Sequence, residues 1–94
     1  MKVWLKIIQD EKIVKSYVLA PQNFNEKNIE EYVKEICNEI DEPMPIFLNK
    51  HFSHLKEFSN THFQARDFVE SIYFDTMIVQ IFDENAKKEN KNFY

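Results

Sequence analysis

The chain of 94 residues contains no glycine, where roughly six or seven are expected at a usage of about 7 %. Glycine takes positive φ without steric penalty and lets a backbone approach a ligand closely. Walker loops, dinucleotide fingerprints, nucleophile elbows and EF-hands all need it, so none of them can be built here. Turns must be made by residues that carry a Cβ.

Part of the deficit is a coding bias. Eleven Lys stand against the single Arg66, with nine Asn and only three Ala, the pattern of an AT-rich genome. The length fits one domain able to bury about 60–65 % of its unfolded surface. Hydrophobic content of 44 % and charge of 30 % are globular values. No run approaches the ~18 apolar residues of a membrane span, and the lysine-broken N-terminus lacks a signal-peptide core. The lone Cys37 cannot form an internal disulfide, as expected of a protein in the reducing cytoplasm.

The net charge of −4 is unevenly placed. Residues 1–20 carry four Lys against Asp10 and Glu11, whereas residues 25–42 carry seven acids against Lys27 and Lys34. A duplex-DNA reader presents a basic face to the phosphates. This chain offers only a mildly basic hairpin, which disfavours nucleic acid as a partner.

Alternation predicts strands over 2–9 and 12–19. Val3, Leu5 and Ile7 oppose Trp4, Lys6 and Ile8 on the first, and Ile13, Lys15, Tyr17 and Leu19 oppose Val14, Ser16 and Val18 on the second. Between them, either Asp10 takes positive φ or the loop is longer than two residues. A helix follows over 26–40, with Ile29, Tyr32, Val33, Ile36 and Ile40 on one face. Asn25 is its N-cap, Phe24 and Ile29 have staple spacing, and Pro43 enforces the stop. Beyond it, 46–48 reads as short, apolar and extended, 52–59 as a short helix, 61–64 as a brief strand and 67–71 as a helical turn. Residues 74–82 form the last strand and 83–94 a flexible tail. The expected fold is α+β: a four-stranded, mainly antiparallel sheet with one long amphipathic helix, in the order β-β-α-β-short α-β, spanning 1–82 as a single domain.

The stretch Asp41-Glu42-Pro43-Met44-Pro45-Ile46-Phe47-Leu48, with Thr61-His62-Phe63, Asp67-Phe68-Val69-Glu70 and Phe74-Asp75, resembles a family of small uncharacterised proteins of low-GC Gram-positive bacteria. The likeness covers about half the chain. Phe47 departs from it, standing where that family often has tryptophan. The resemblance implies a single domain and carries no activity and no site.

Five groups of residues are candidates for chemistry. His51, His54 and His62 lie within twelve residues of one another, near Glu57, Asp67 and Glu70. Three histidines with an acid as base could form a zinc hydrolase centre, but the spacing matches no strong metal signature. Cys37 lies at the edge of the apolar stripe, where a free cysteine behaves as a small hydrophobe. Asp67 and Glu70 have the spacing of an acid–base pair, or of ordinary surface charges with Asp67 as a cap. Glu35, Glu39, Asp41 and Glu42 crowd the end of the helix, against its dipole, where they could meet a basic partner. Trp4, Lys6 and Ile8 remain outside if the helix covers the other face of the hairpin. Such a patch would serve a protein interface, or, with Tyr17, a single-stranded nucleic acid. A non-catalytic interaction or accessory module, paired with a partner protein or as a homodimer, is the reading these residues favour. No metal or cofactor is implied.

Overall fold

The inward row of the first strand sets the architecture. In a computed structural model, which describes residues 1–83, Val3, Leu5 and Ile7 are 0 % exposed on β1 (Lys2–Gln9). The expected tail lies, apart from Asp83, outside the described residues. β1 pairs antiparallel with β2 (Lys12–Leu19) on one side and with β4 (Thr76–Phe82) on the other. β3 (Asn60–Phe63) pairs antiparallel with β4, giving the strand order β2-β1-β4-β3. The α+β class and the four-stranded sheet are therefore as expected, and the sheet is antiparallel throughout.

The long helix enters through a 3-10 turn at Glu26–Asn28 and continues as α1 (Ile29–Ile40). The Asn25 side chain accepts the Lys27 amide at 3.0 Å, the N-cap bond expected of it. Phe24 stacks on Tyr32 with ring centroids 5.5 Å apart. Ile29, Val33, Ile36 and Cys37 are buried in one core with Val3, Leu5, Ile7, Met77, Val79 and Ile81. Each such side chain removed from water contributes about 1.5–3 kcal/mol. α1 thus covers one face of the sheet.

The middle of the chain differs from the expected order. Residues 46–48 are not a strand but a connection, held where the Ile46 amide donates to the Asp67 carbonyl at 2.8 Å. The brief strand expected at 61–64 is present as Asn60–Phe63 and is the third of the sheet; it follows the second helix, so the elements run β-β-α-α-β-β. That helix, α2, spans Asn49–Phe58. A short apolar triplet after Pro43 and Pro45 has strand composition, but β3 already occupies the sheet edge. The turn expected at 67–71 is a 3-10 turn at Ala65–Asp67.

A bulge also alters the hairpin. Its register shifts between Ile7 and Ile8, so that Ile7 opposes Lys15 while Ile8 opposes Ile13. The extra residue moves Ile13 onto the face of Trp4, Lys6 and Ile8, away from that of Lys15 and Tyr17.

Among the described residues four take positive φ, none of them glycine: Asp10 (53°), Glu11 (66°), Asp41 (59°) and Ser59 (64°). Asp10 and Glu11 form the two-residue turn of the β1–β2 hairpin, both left-handed, as a type I′ turn requires. The Asp10 amide donates to the Asp75 carboxylate at 2.8 Å. Asp41 ends α1, and the Glu42 amide returns to the Cys37 carbonyl at 2.9 Å, closing a Schellman motif. Ser59 ends α2 in the same conformation. Positive φ costs a residue with a Cβ about 1 kcal/mol or more. Glu11→Gly relieves that cost while enlarging the unfolded ensemble. The substitution is expected to raise the unfolding free energy by about 0.5–1 kcal/mol in urea titration. A loss of stability would show that the Glu11 side chain supports the turn.

Candidate functional site: an open sheet face and an adjoining cleft

Since α1 covers only one face, the alternate residues of the sheet point the other way. Two cross-strand rows define that second face. One runs Val18–Trp4–Gln80–Asn60 and the other Ser16–Lys6–Ile78–His62. Ile8 with Ile13, and Phe82 opposite Lys2, extend it. Trp4, Ile8, Ile78 and Phe82 are half-buried, while Val18 and Ile13 are exposed, Ile13 at 54 %. The Trp4 ring meets Phe82 edge-on at 6.4 Å, and the Lys6 ammonium lies 4.2 Å from the Trp4 ring centroid. Lys6 also donates to Gln80 Oε1 at 3.2 Å. Trp4, Lys6 and Ile8 are thus brought together on a single surface. Tyr17 is not among them: it opposes Leu5 and packs against the core on the covered face. Strand alternation separates it from Trp4 and breaks up the Trp4/Lys6/Tyr17 constellation.

The acids at the end of α1 fall into two kinds. Glu39 and Asp41 are exposed. The Glu42 side chain is 3 % exposed and its carboxylate takes the Lys15 ammonium at 2.6 Å and the Tyr73 hydroxyl at 2.7 Å. Lys15 donates as well to the Ile40 carbonyl at 3.0 Å, at the negative end of α1. Hydrogen bonding to Glu42 raises both the Lys15 and the Tyr73 pKa. Glu42 therefore joins the hairpin, the end of α1 and the segment before β4, and its carboxylate is occupied within the fold.

The three histidines have three different surroundings. His51 is 0 % exposed, and its Nδ1 accepts the Leu48 amide at 2.9 Å at the start of α2. The proton of the neutral ring then sits on Nε2, which lies 3.7 Å from Asp67 Oδ2 and has no hydrogen-bond partner. Asp67 accepts the Gln64 amide at 2.9 Å. Both side chains thus reach back from the third position of a helical turn to the amide that precedes it, and they do so facing one another. Sequence reading missed this because the two turns are sixteen residues apart. The usable signal was a polar side chain at the third position of each turn. His54 is exposed on α2 with Nδ1 3.4 Å from Thr61 Oγ1, and His62 is exposed on β3. Among the described residues no group of three or more His, Cys, Asp or Glu side chains could hold a metal ion.

Cys37 is buried, and its thiol is pushed up to about 12, by burial first and by the Glu42 charge second. It is a thiol at neutral pH, unsuited to nucleophilic attack. Asp67 is buried and occupied in capping while Glu70 is exposed, so the two share no common environment.

His54 and His62 line an open cleft of about 320 Å³ with Lys50, Phe58, Asn60, Thr61, Gln64, Arg66 and Asp67. Since Asn60 and His62 end the two cross-strand rows, the cleft adjoins the open face at its β3 edge. Desolvation lowers the His62 pKa, aided by Lys6 and then by His54. No helix among the described residues is long and apolar enough to cross a membrane. Comparison with protein-family models, with curated proteins and with solved structures returned no match.

Burial is the first cause that lowers the His51 pKa, opposed by Asp67 and reinforced by Lys50 and His54. Just below the ordinary histidine value of about 6.5 the unfolded chain therefore binds more protons than the folded one. Stability contributed by neutral His51 is complete above that value. It falls as the pH drops through the window beneath, by up to about 1.4 kcal/mol per pH unit. His51→Gln keeps an acceptor for the Leu48 amide but cannot titrate. Urea unfolding between about pH 7.5 and 5.5 is expected to show a shallower slope in the variant. Equal slopes would assign the proton uptake to other groups.

Proposed function

We propose that the protein is a non-catalytic interaction module that docks a partner protein on the open face of its sheet. The observation that carries this reading is the surface of Trp4, Ile8, Ile13, Val18, Ile78 and Phe82, which no other element among the described residues covers, on a sheet whose other face carries the core. A tryptophan near the centre of an apolar patch is the typical anchor of a protein interface. Lys6 lies on this face beside Trp4, so the complementary partner surface is apolar with an acidic border. Among the described residues β2 is an edge strand of the sheet, beside the patch, and its outer backbone groups can serve the same partner. The second layer points away from enzymatic work, because Cys37, Glu42 and Asp67 are each buried or already bonded.

Trp4→Ala tests the reading against Val69→Ser, which alters an 87 % exposed apolar side chain off the sheet. With folding checked by circular dichroism, association is measured by sedimentation of the protein alone and with its partner. The Trp4 variant is expected to lose at least about tenfold in affinity, the loss typical of an aromatic anchor. The Val69 variant is expected to bind as the parent does. A folded Trp4 variant with unchanged solution mass and unchanged partner binding would remove the face as the docking surface.

A further inference from the structure

The cleft beside β3 differs in character from the apolar face. Four of its side chains, Lys50, His54, His62 and Arg66, are cations or imidazoles, and Asn60, Thr61 and Gln64 add amide and hydroxyl groups. Its one acid, Asp67, is 5 % exposed and already accepts the Gln64 amide. Among the described residues neither Lys50 nor Arg66 makes an ion pair. A cleft lined by two cations and two imidazoles, against one carboxylate that is already hydrogen-bonded, is notable in a chain of net charge −4. So is the placement of Arg66, the only arginine in a chain that otherwise uses lysine. Guanidinium differs from ammonium in offering a planar fork of donors to an oxyanion.

From this arrangement we propose that the cleft binds the phosphoryl group of a small phosphate monoester. The donors approach from two sides: Lys50 and His54 from α2, and His62, Gln64 and Arg66 from β3 and the turn after it. Donors on two elements suit a tetrahedral oxyanion with several acceptor oxygens better than a planar carboxylate. A volume of about 320 Å³ exceeds the needs of the phosphoryl group alone and leaves space for a compact organic remainder against the Phe58 ring. The His51–Asp67 contact sets one wall, because each residue fixes the start of a helical turn that brings cleft side chains with it. The proposal is independent of the docking reading, since it uses none of Trp4, Ile8, Ile13, Val18, Ile78 and Phe82 and shares with that face only the row ends Asn60 and His62.

The test uses the full chain and two probes, inorganic phosphate and glycerol 3-phosphate, each against chloride at matched ionic strength. Imidazole resonances of His54 and His62 are followed by NMR across the histidine pH range. Both probes are expected to give saturable shifts and to move the two titrations to higher pH, because a bound dianion favours the imidazolium form. The ester is expected to bind more tightly than the free ion. Arg66→Gln and Lys50→Gln, both exposed positions, are each expected to weaken binding about tenfold. Lys56→Gln, on the same helix but outside the cleft lining, leaves it unchanged. Shifts that match those in chloride, or that persist undiminished in the Arg66 variant, would overturn the proposal. Equal affinity for ester and free phosphate would overturn the monoester assignment.

Discussion

One-sided burial is the constraint on which the rest of the structure depends. Alternate residues of β1 and β4 meet the stripe of α1, and together they form a core in which Val3, Leu5, Ile7, Ile36, Met77 and Val79 are fully buried. Among the described residues there are two layers, and no third element covers the back of the sheet. The same alternation that drives Val3, Leu5 and Ile7 inward therefore leaves Trp4, Lys6 and Ile8 outside. The docking face is the complement of the core, and neither can be changed without the other.

Polar contacts then fix the periphery around that core. Glu42 joins Lys15 of β2 to Tyr73 and closes the far end of α1. His51 and Asp67 perform a similar task on the other side, each bonding an amide at the start of its own turn and facing the other at 3.7 Å. The distance is too long for a hydrogen bond. It still leaves the Nε2 proton directed toward a carboxylate, which moderates the cost of an unpartnered buried donor. The outcome is a molecule of two unlike sides. The outer face of α1 is acidic, with Glu30, Glu31, Glu35 and Glu39, while the open sheet face and the cleft carry Lys2, Lys6, Lys50 and Arg66.

Local pattern made much of the fold legible. β1, β2, α1 and β4 are long, and their periods of 2 and 3.6 residues are repeated enough to be read directly. The N-cap at Asn25 and the division of β1 into two faces were equally visible. What was not legible depended on pairing between distant segments. A triplet such as 46–48 has strand composition, but whether it joins a sheet depends on a free edge, and Asn60–Phe63 takes that edge. The bulge that turns Ile13 outward follows from the register against β1, which no single strand encodes. Of the candidate residues, the Trp4 patch followed from alternation alone. The cleft required Lys50 and Arg66, separated by sixteen positions, to meet across α2 and β3.

Trp4 is the only tryptophan in the chain, so its fluorescence reports on the open face without further labelling. The most direct measurement is the emission maximum of the full chain together with its quenching by acrylamide. The half-buried indole beside Lys6 and Phe82 predicts emission red-shifted from that of a core tryptophan and measurable quenching. Blue-shifted emission that resists acrylamide would show the face to be covered within the monomer, contradicting a sheet buried on one side only.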